Sequence, residues 1–73
     1  MTTFIFKPTT RLDCDFYYDF HHLSGNVYRD SDGNAAVEVS KASLPYFLEY
    51  VAKDWNDGSG ILQRYELISA HKG

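Results

Sequence analysis

Leu12-Asp13-Cys14-Asp15-Phe16-Tyr17-Tyr18-Asp19-Phe20-His21-His22-Leu23 is the stretch on which the fold turns. Read as strict alternation, Cys14, Phe16, Tyr18, Phe20 and His22 fall on one face and Asp13, Asp15, Tyr17, Asp19 and His21 on the other, the pattern of a half-buried strand. Read with a period of about 3.6 residues, Leu12, Phe16, Phe20 and Leu23 gather on a narrow stripe, with Gly25 or Asn26 to end a helix. Aspartates and aromatics are middling helix formers, so propensity tilts the segment towards strand. The strand reading gives the element order β-β-β-β-α-β. The helix reading gives β-α-β-β-α-β, the ferredoxin-like order. Either way the class is α+β: a small antiparallel sheet of four to five strands, with helical cover on one face.

The flanks are easier to read. Residues 3–7, Thr-Phe-Ile-Phe-Lys, are β-prone and stop at Pro8, and Phe4 and Phe6 share a face. After the turn signal Ser24-Gly25-Asn26, residues 27–39 predict a hairpin. Val27-Tyr28-Arg29 leads in, Ala35 to Val39 leads out, and Asp32-Gly33 supplies the positive-φ residue of the turn between them. Residues 44–56 predict a helix. Leu44, Phe47, Leu48, Val51, Ala52 and Trp55 repeat at the spacing of one helix face, Ser43 can cap it, and Pro45 is tolerated in the first turn. Asp57-Gly58-Ser59-Gly60 ends that helix. Ile61 to Ala70 then predicts a last strand, with Ile61, Tyr65 and Leu67 on one face and a length that suits a central or well-paired strand.

Seventy-three residues make a single domain, 1–73. A stability of about 4–11 kcal/mol is expected for this length. The single cysteine, Cys14, excludes an internal disulfide. Five Phe, six Tyr and one Trp offer large buried areas in its place. The start of the sequence has no basic leader followed by a long apolar core, and no stretch has the length of a membrane span, so a cytoplasmic location is expected. The net charge of −3 is unevenly spread. Residues 12–38 hold six acids against Arg29 alone, a balance of −5. Such a field repels nucleic acid and attracts a basic protein surface.

Candidate chemical sites read mostly as structure. Asp30-Ser31-Asp32-Gly33-Asn34 and Asp54-Trp55-Asn56-Asp57-Gly58 both place glycine too early for a calcium loop, and Lys41 stands where the first would need its closing glutamate. His21 and His22, with Cys14 and His71, supply metal-ligand types without a zinc spacing. Cys14 as a nucleophile would need an orienting base and a cleft, and its place in the aromatic alternation reads instead as a small buried hydrophobe. No phosphate loop or serine-nucleophile motif is present. No enzyme activity, metal or cofactor is therefore expected. Two surfaces are left as partner-binding candidates. One is the acidic stripe of Asp13, Asp15, Tyr17 and Asp19. The other is the outer face of the 44–56 helix, where Tyr46, Glu49 and Tyr50 lie away from the apolar stripe beside Lys53.

In size, acidity, aromatic richness and absence of catalytic motifs, the chain resembles the small phage-encoded inhibitors of host defence, the anti-CRISPR proteins. That resemblance implies a non-enzymatic, protein-binding inhibitor acting in the host cytoplasm. Together with the acidic middle third, it suggests docking on a basic, nucleic-acid-handling protein, with no direct contact to nucleic acid or membrane. The alternative expectation is a self-associating homodimer that buries the aromatic excess in a structural or regulatory module.

Overall fold

The structure, a computed structural model, describes residues 1–9, 16–20, 25–54, 56, 58 and 60–72. The elements run β1 (Thr2–Pro8), α1 (Phe16–Phe20), β2 (Asn26–Arg29), β3 (Ala35–Val39), α2 (Leu44–Ala52), α3 (Ile61–Arg64) and β4 (Tyr65–Lys72). All strand pairings are antiparallel, in the order β2-β3-β1-β4. The fold is therefore α+β, a four-stranded antiparallel sheet carrying short helices. With the small α3 set aside, its element order is the ferredoxin-like β-α-β-β-α-β.

The strand reading of residues 12–23 does not hold where the segment is described, because residues 16–20 are helical. Phe16, Asp19 and Phe20 form the buried face at helical spacing, while Tyr17 and Tyr18 point outward. In a strand, Tyr18 would have shared the face of Phe16 and Phe20. The helix wins because Asp19, which looked like a surface acid, is buried with partners supplied by distant residues.

Across the sheet, Val27, Val37, Phe4 and Ala70 lie side by side, and Arg29, Ala35, Phe6 and Leu67 form the next row. This is the covered face. Phe4, Phe6, Ala35, Val37 and Val39 meet Phe16 and Phe20 of α1, Phe47 and Val51 of α2, Ile61 of α3 and Tyr65 in one core. Phe6 is its centre. Its ring lies 4.9 Å from Phe20, 6.2 Å from Phe47 and 6.3 Å from both Phe4 and Tyr65. These offset and edge contacts add to area burial, so a few aromatics make a core in a chain with no staple. The radius of gyration, 11.4 Å, is that of a compact domain.

The 27–39 hairpin forms as the sequence predicts. Gly33 adopts φ +82°, and the Asp30 carboxylate accepts the backbone N–H groups of Asp32 and Asn34 at 2.9 and 2.8 Å. The Asp30–Asn34 stretch is a self-capped turn.

Three other expectations need correction. Helix α2 stops at Ala52, short of residue 56, because Lys53 is already extended and its N–H bonds back to Tyr50. The helix is also turned. Phe47 and Val51 are buried, and Leu44 and Tyr50 pack on the core, but Leu48 is 46% exposed. The buried face is rotated roughly 60° from the apolar stripe, towards Tyr50. Trp55 lies outside the described residues. Ile61–Arg64 is a helical turn and not strand, since Gln63 accepts the Gly60 N–H with its side chain at 2.7 Å and donates its own N–H to the Gly60 carbonyl at 3.1 Å. β4 is paired with β1 from Tyr65 to Lys72 and forms one edge of the sheet.

Candidate functional site

The helical layer is tied together by one buried acid. Arg64, at the end of α3, donates from both terminal nitrogens to the two carboxylate oxygens of Asp19 at 3.0 Å each. The Tyr65 hydroxyl donates to Asp19 Oδ2 at 2.5 Å. The Tyr50 hydroxyl, from α2, donates to the Asp19 backbone carbonyl at 3.0 Å. One residue of α1 thus joins α2, α3 and the start of β4. A fork-on-fork pair of this kind is charge-assisted and directional. Two hydrogen bonds from Thr9 to the Arg64 carbonyl, from its N–H at 2.9 Å and its hydroxyl at 2.8 Å, fix the α3–β4 junction to the end of β1. Tyr50 titrates above the ordinary tyrosine value of 10.0, chiefly because burial disfavours its phenolate and then because Asp19 lies close.

Chemically, this cluster is closed. Both Asp19 oxygens are engaged, so the carboxylate is held as an acceptor within the fold. Sequence reading placed Asp19 on an open acidic stripe. The structure removes it from that stripe, for the reason just given: guanidinium and phenol partners make its burial tolerable. Arg64 and Tyr65 were missed as its partners. The available signal was an aspartate three residues after Phe16 and one before Phe20, which is a buried position if the segment is helical.

Of the other candidates, Asp13 and Asp15 lie outside the described residues, as do Cys14, His21 and His22. Tyr17 is exposed on α1, Tyr46 and Glu49 are exposed on α2, and Tyr50 is half-buried with its hydroxyl turned inward. The expectation that Tyr50 lies wholly outside the core is thus corrected by the rotation of α2. Tyr17, Tyr18 and Tyr46 keep 67, 72 and 67% of their surface in solvent. Leu48 and Leu62 are exposed as well, on α2 and α3. The Arg29 guanidinium stacks over the Phe16 ring at 4.5 Å, so this base braces α1 from the hairpin side.

Elsewhere, Met1, Thr2, Lys41, Leu44 and Lys72 line a hollow of about 320 Å³. Among the described residues, its lining has no side-chain carboxylate, imidazole or thiol. Among the described residues no three His, Cys, Asp or Glu side chains come together as metal ligands, and no helix is long and apolar enough to cross a membrane. The class established by this architecture is a small α+β domain with a tyrosine-bearing helical layer. No protein-family model, curated protein or solved structure matches the chain.

Proposed function

We propose that this chain is a non-enzymatic protein-binding domain. Its helical layer docks on the basic surface of a nucleic-acid-handling protein and blocks access to that surface, as an anti-defence inhibitor would. The observation that carries the reading is the outward set of Tyr17, Tyr18 and Tyr46, with Leu48 and Leu62, on helices whose relative positions are fixed by the Asp19 cluster. Tyrosines are efficient interface anchors, since they offer large amphipathic area at low conformational cost. Glu49 beside them, and the acid-rich 12–38 segment, supply a field that favours a basic partner. With Asp19 engaged internally, the aromatics carry more of the contact than the acids do.

The test compares wild type with Tyr17→Ala/Tyr46→Ala as immobilised bait for bacterial lysate at low and high salt. Each change should stay within about 0.5 kcal/mol in stability. Binding of the retained partner should weaken by well over about tenfold. A folded variant that holds the same partner equally well would place the interface away from the helical layer. Retention undiminished by salt would remove the electrostatic part of the reading.

A further inference from the structure

β4 is the longest of the four strands, and it lies at an edge of the sheet. Edge strands expose a row of backbone donors and acceptors, and proteins commonly blunt them by shortening, proline or charge. β2, at the opposite edge, is only four residues long. β4 runs for eight residues without proline and shows Leu67 and Ile68 at 42 and 47% exposure.

Its register carries a further feature. Ile5 pairs with Ser69 and Phe6 with Leu67, so Ile68 is an extra residue with no opposite number on β1. The bulge reverses the side-chain alternation halfway along the strand. Tyr65, Leu67, Ala70 and Lys72 lie opposite Pro8, Phe6, Phe4 and Thr2 on the covered face, while Glu66, Ser69 and His71 lie opposite Lys7, Ile5 and Thr3 on the open face. The order of faces is therefore the same read forwards or backwards from the Ile68–Ser69 bond.

We propose that β4 is a self-pairing edge, to which a second copy of this chain adds its own β4 antiparallel across a two-fold axis at the Ile68–Ser69 bond. In that register Tyr65 opposes Lys72, Glu66 opposes His71, Leu67 opposes Ala70 and Ile68 opposes Ser69. Residues of the covered face meet residues of the covered face, and the two sheets join into one. Without the bulge the same register would set inward side chains against outward ones. Charge selects the orientation too. Each strand has its acid, Glu66, near the start and its bases, His71 and Lys72, at the end. Antiparallel pairing sets Glu66 opposite His71 twice, with Lys72 next along, whereas parallel pairing sets Glu66 opposite Glu66 and Lys72 opposite Lys72. The pairing groups are the backbone of β4, whereas the docking set is carried by side chains of α1, α2 and α3; the two meet at Tyr65, whose N–H caps α3 at Ile61.

Sedimentation equilibrium from micromolar to millimolar protein, with amide hydrogen exchange at the same concentrations, tests the proposal. The mass should climb towards that of a dimer, and the amides of residues 65–72 should gain protection as it does. Glu66→Lys should weaken association about tenfold, because two symmetric cross-strand pairs become repulsive or lose their attraction. Glu66→Lys/His71→Glu, which restores opposite charge in swapped order, should recover wild-type association. His71→Glu alone sits opposite Thr3 in its own sheet and makes an acid–acid clash across the axis. It serves as the single variant if Glu66→Lys, opposite Lys7, fails to fold. A strict monomer at millimolar concentration overturns the proposal. So does a dimer indifferent to the single charge change, one that the swap does not restore, or one whose protection appears away from β4.

Discussion

Replacing Arg64 with methionine keeps much of the side chain's length and removes the guanidinium that holds Asp19. The carboxylate is then left with the Tyr65 hydroxyl alone among the partners described above, on a residue only 8% exposed. Breaking a buried ion pair from one side costs roughly 3–5 kcal/mol. Arg64 retains 28% of its side-chain surface in solvent, so water relieves part of that, and about 2–4 kcal/mol is the expected loss. Against a total of about 4–11 kcal/mol this is a large share. At roughly 4–8 °C per kcal/mol for a domain of this size, the melting temperature should fall by at least about 8 °C. Thermal and urea unfolding followed by far-ultraviolet circular dichroism measures it, with an unchanged urea slope confirming that the native state is otherwise intact. Asp19→Asn/Arg64→Met should recover part of the loss, because no buried charge remains unpaired, and the cycle should show coupling of about 1–3 kcal/mol. A melting temperature lowered by less than about 3 °C in Arg64→Met would show that α1 is held by its phenylalanines alone, and the account of the Asp19 cluster would be wrong.

Tyr50→Phe removes the donor to the Asp19 carbonyl and should cost about 1 kcal/mol at neutral pH. Because Tyr50 titrates higher in the folded chain than the ordinary 10.0, its contribution is complete below that pH and declines as pH rises through the folded value. Tyr50→Phe should therefore flatten the loss of stability above about pH 10, seen in melting curves across alkaline buffers; an unchanged slope would contradict the assignment. Phe6→Ala should cost about 3–5 kcal/mol, since the ring is fully buried against four other aromatics. A milder effect in urea melts would mean that the core collapses around the gap.

What was legible in the sequence is what depends on neighbours along the chain. Alternating Phe4 and Phe6 specify a strand with one buried face, and the Asp32-Gly33 pair closes a hairpin because glycine accepts the positive φ. The Leu44–Val51 spacing specifies a helix, and together these features define an α+β domain with an antiparallel sheet. The rest was decided by contacts between distant residues. Residues 16–20 satisfy strand and helix periodicity equally well until Arg64, 45 residues beyond Asp19, makes a buried aspartate tolerable. The same cluster turns α2, because the Tyr50 hydroxyl finds its acceptor on α1 and draws that face inward at the expense of Leu48. β4 is placed at an edge by β1 lying between it and β3, a pairing that no local pattern encodes. Local periodicity fixes which side chains can share a face. Only the folded chain decides which polar groups on that face find partners, and so which face can be buried.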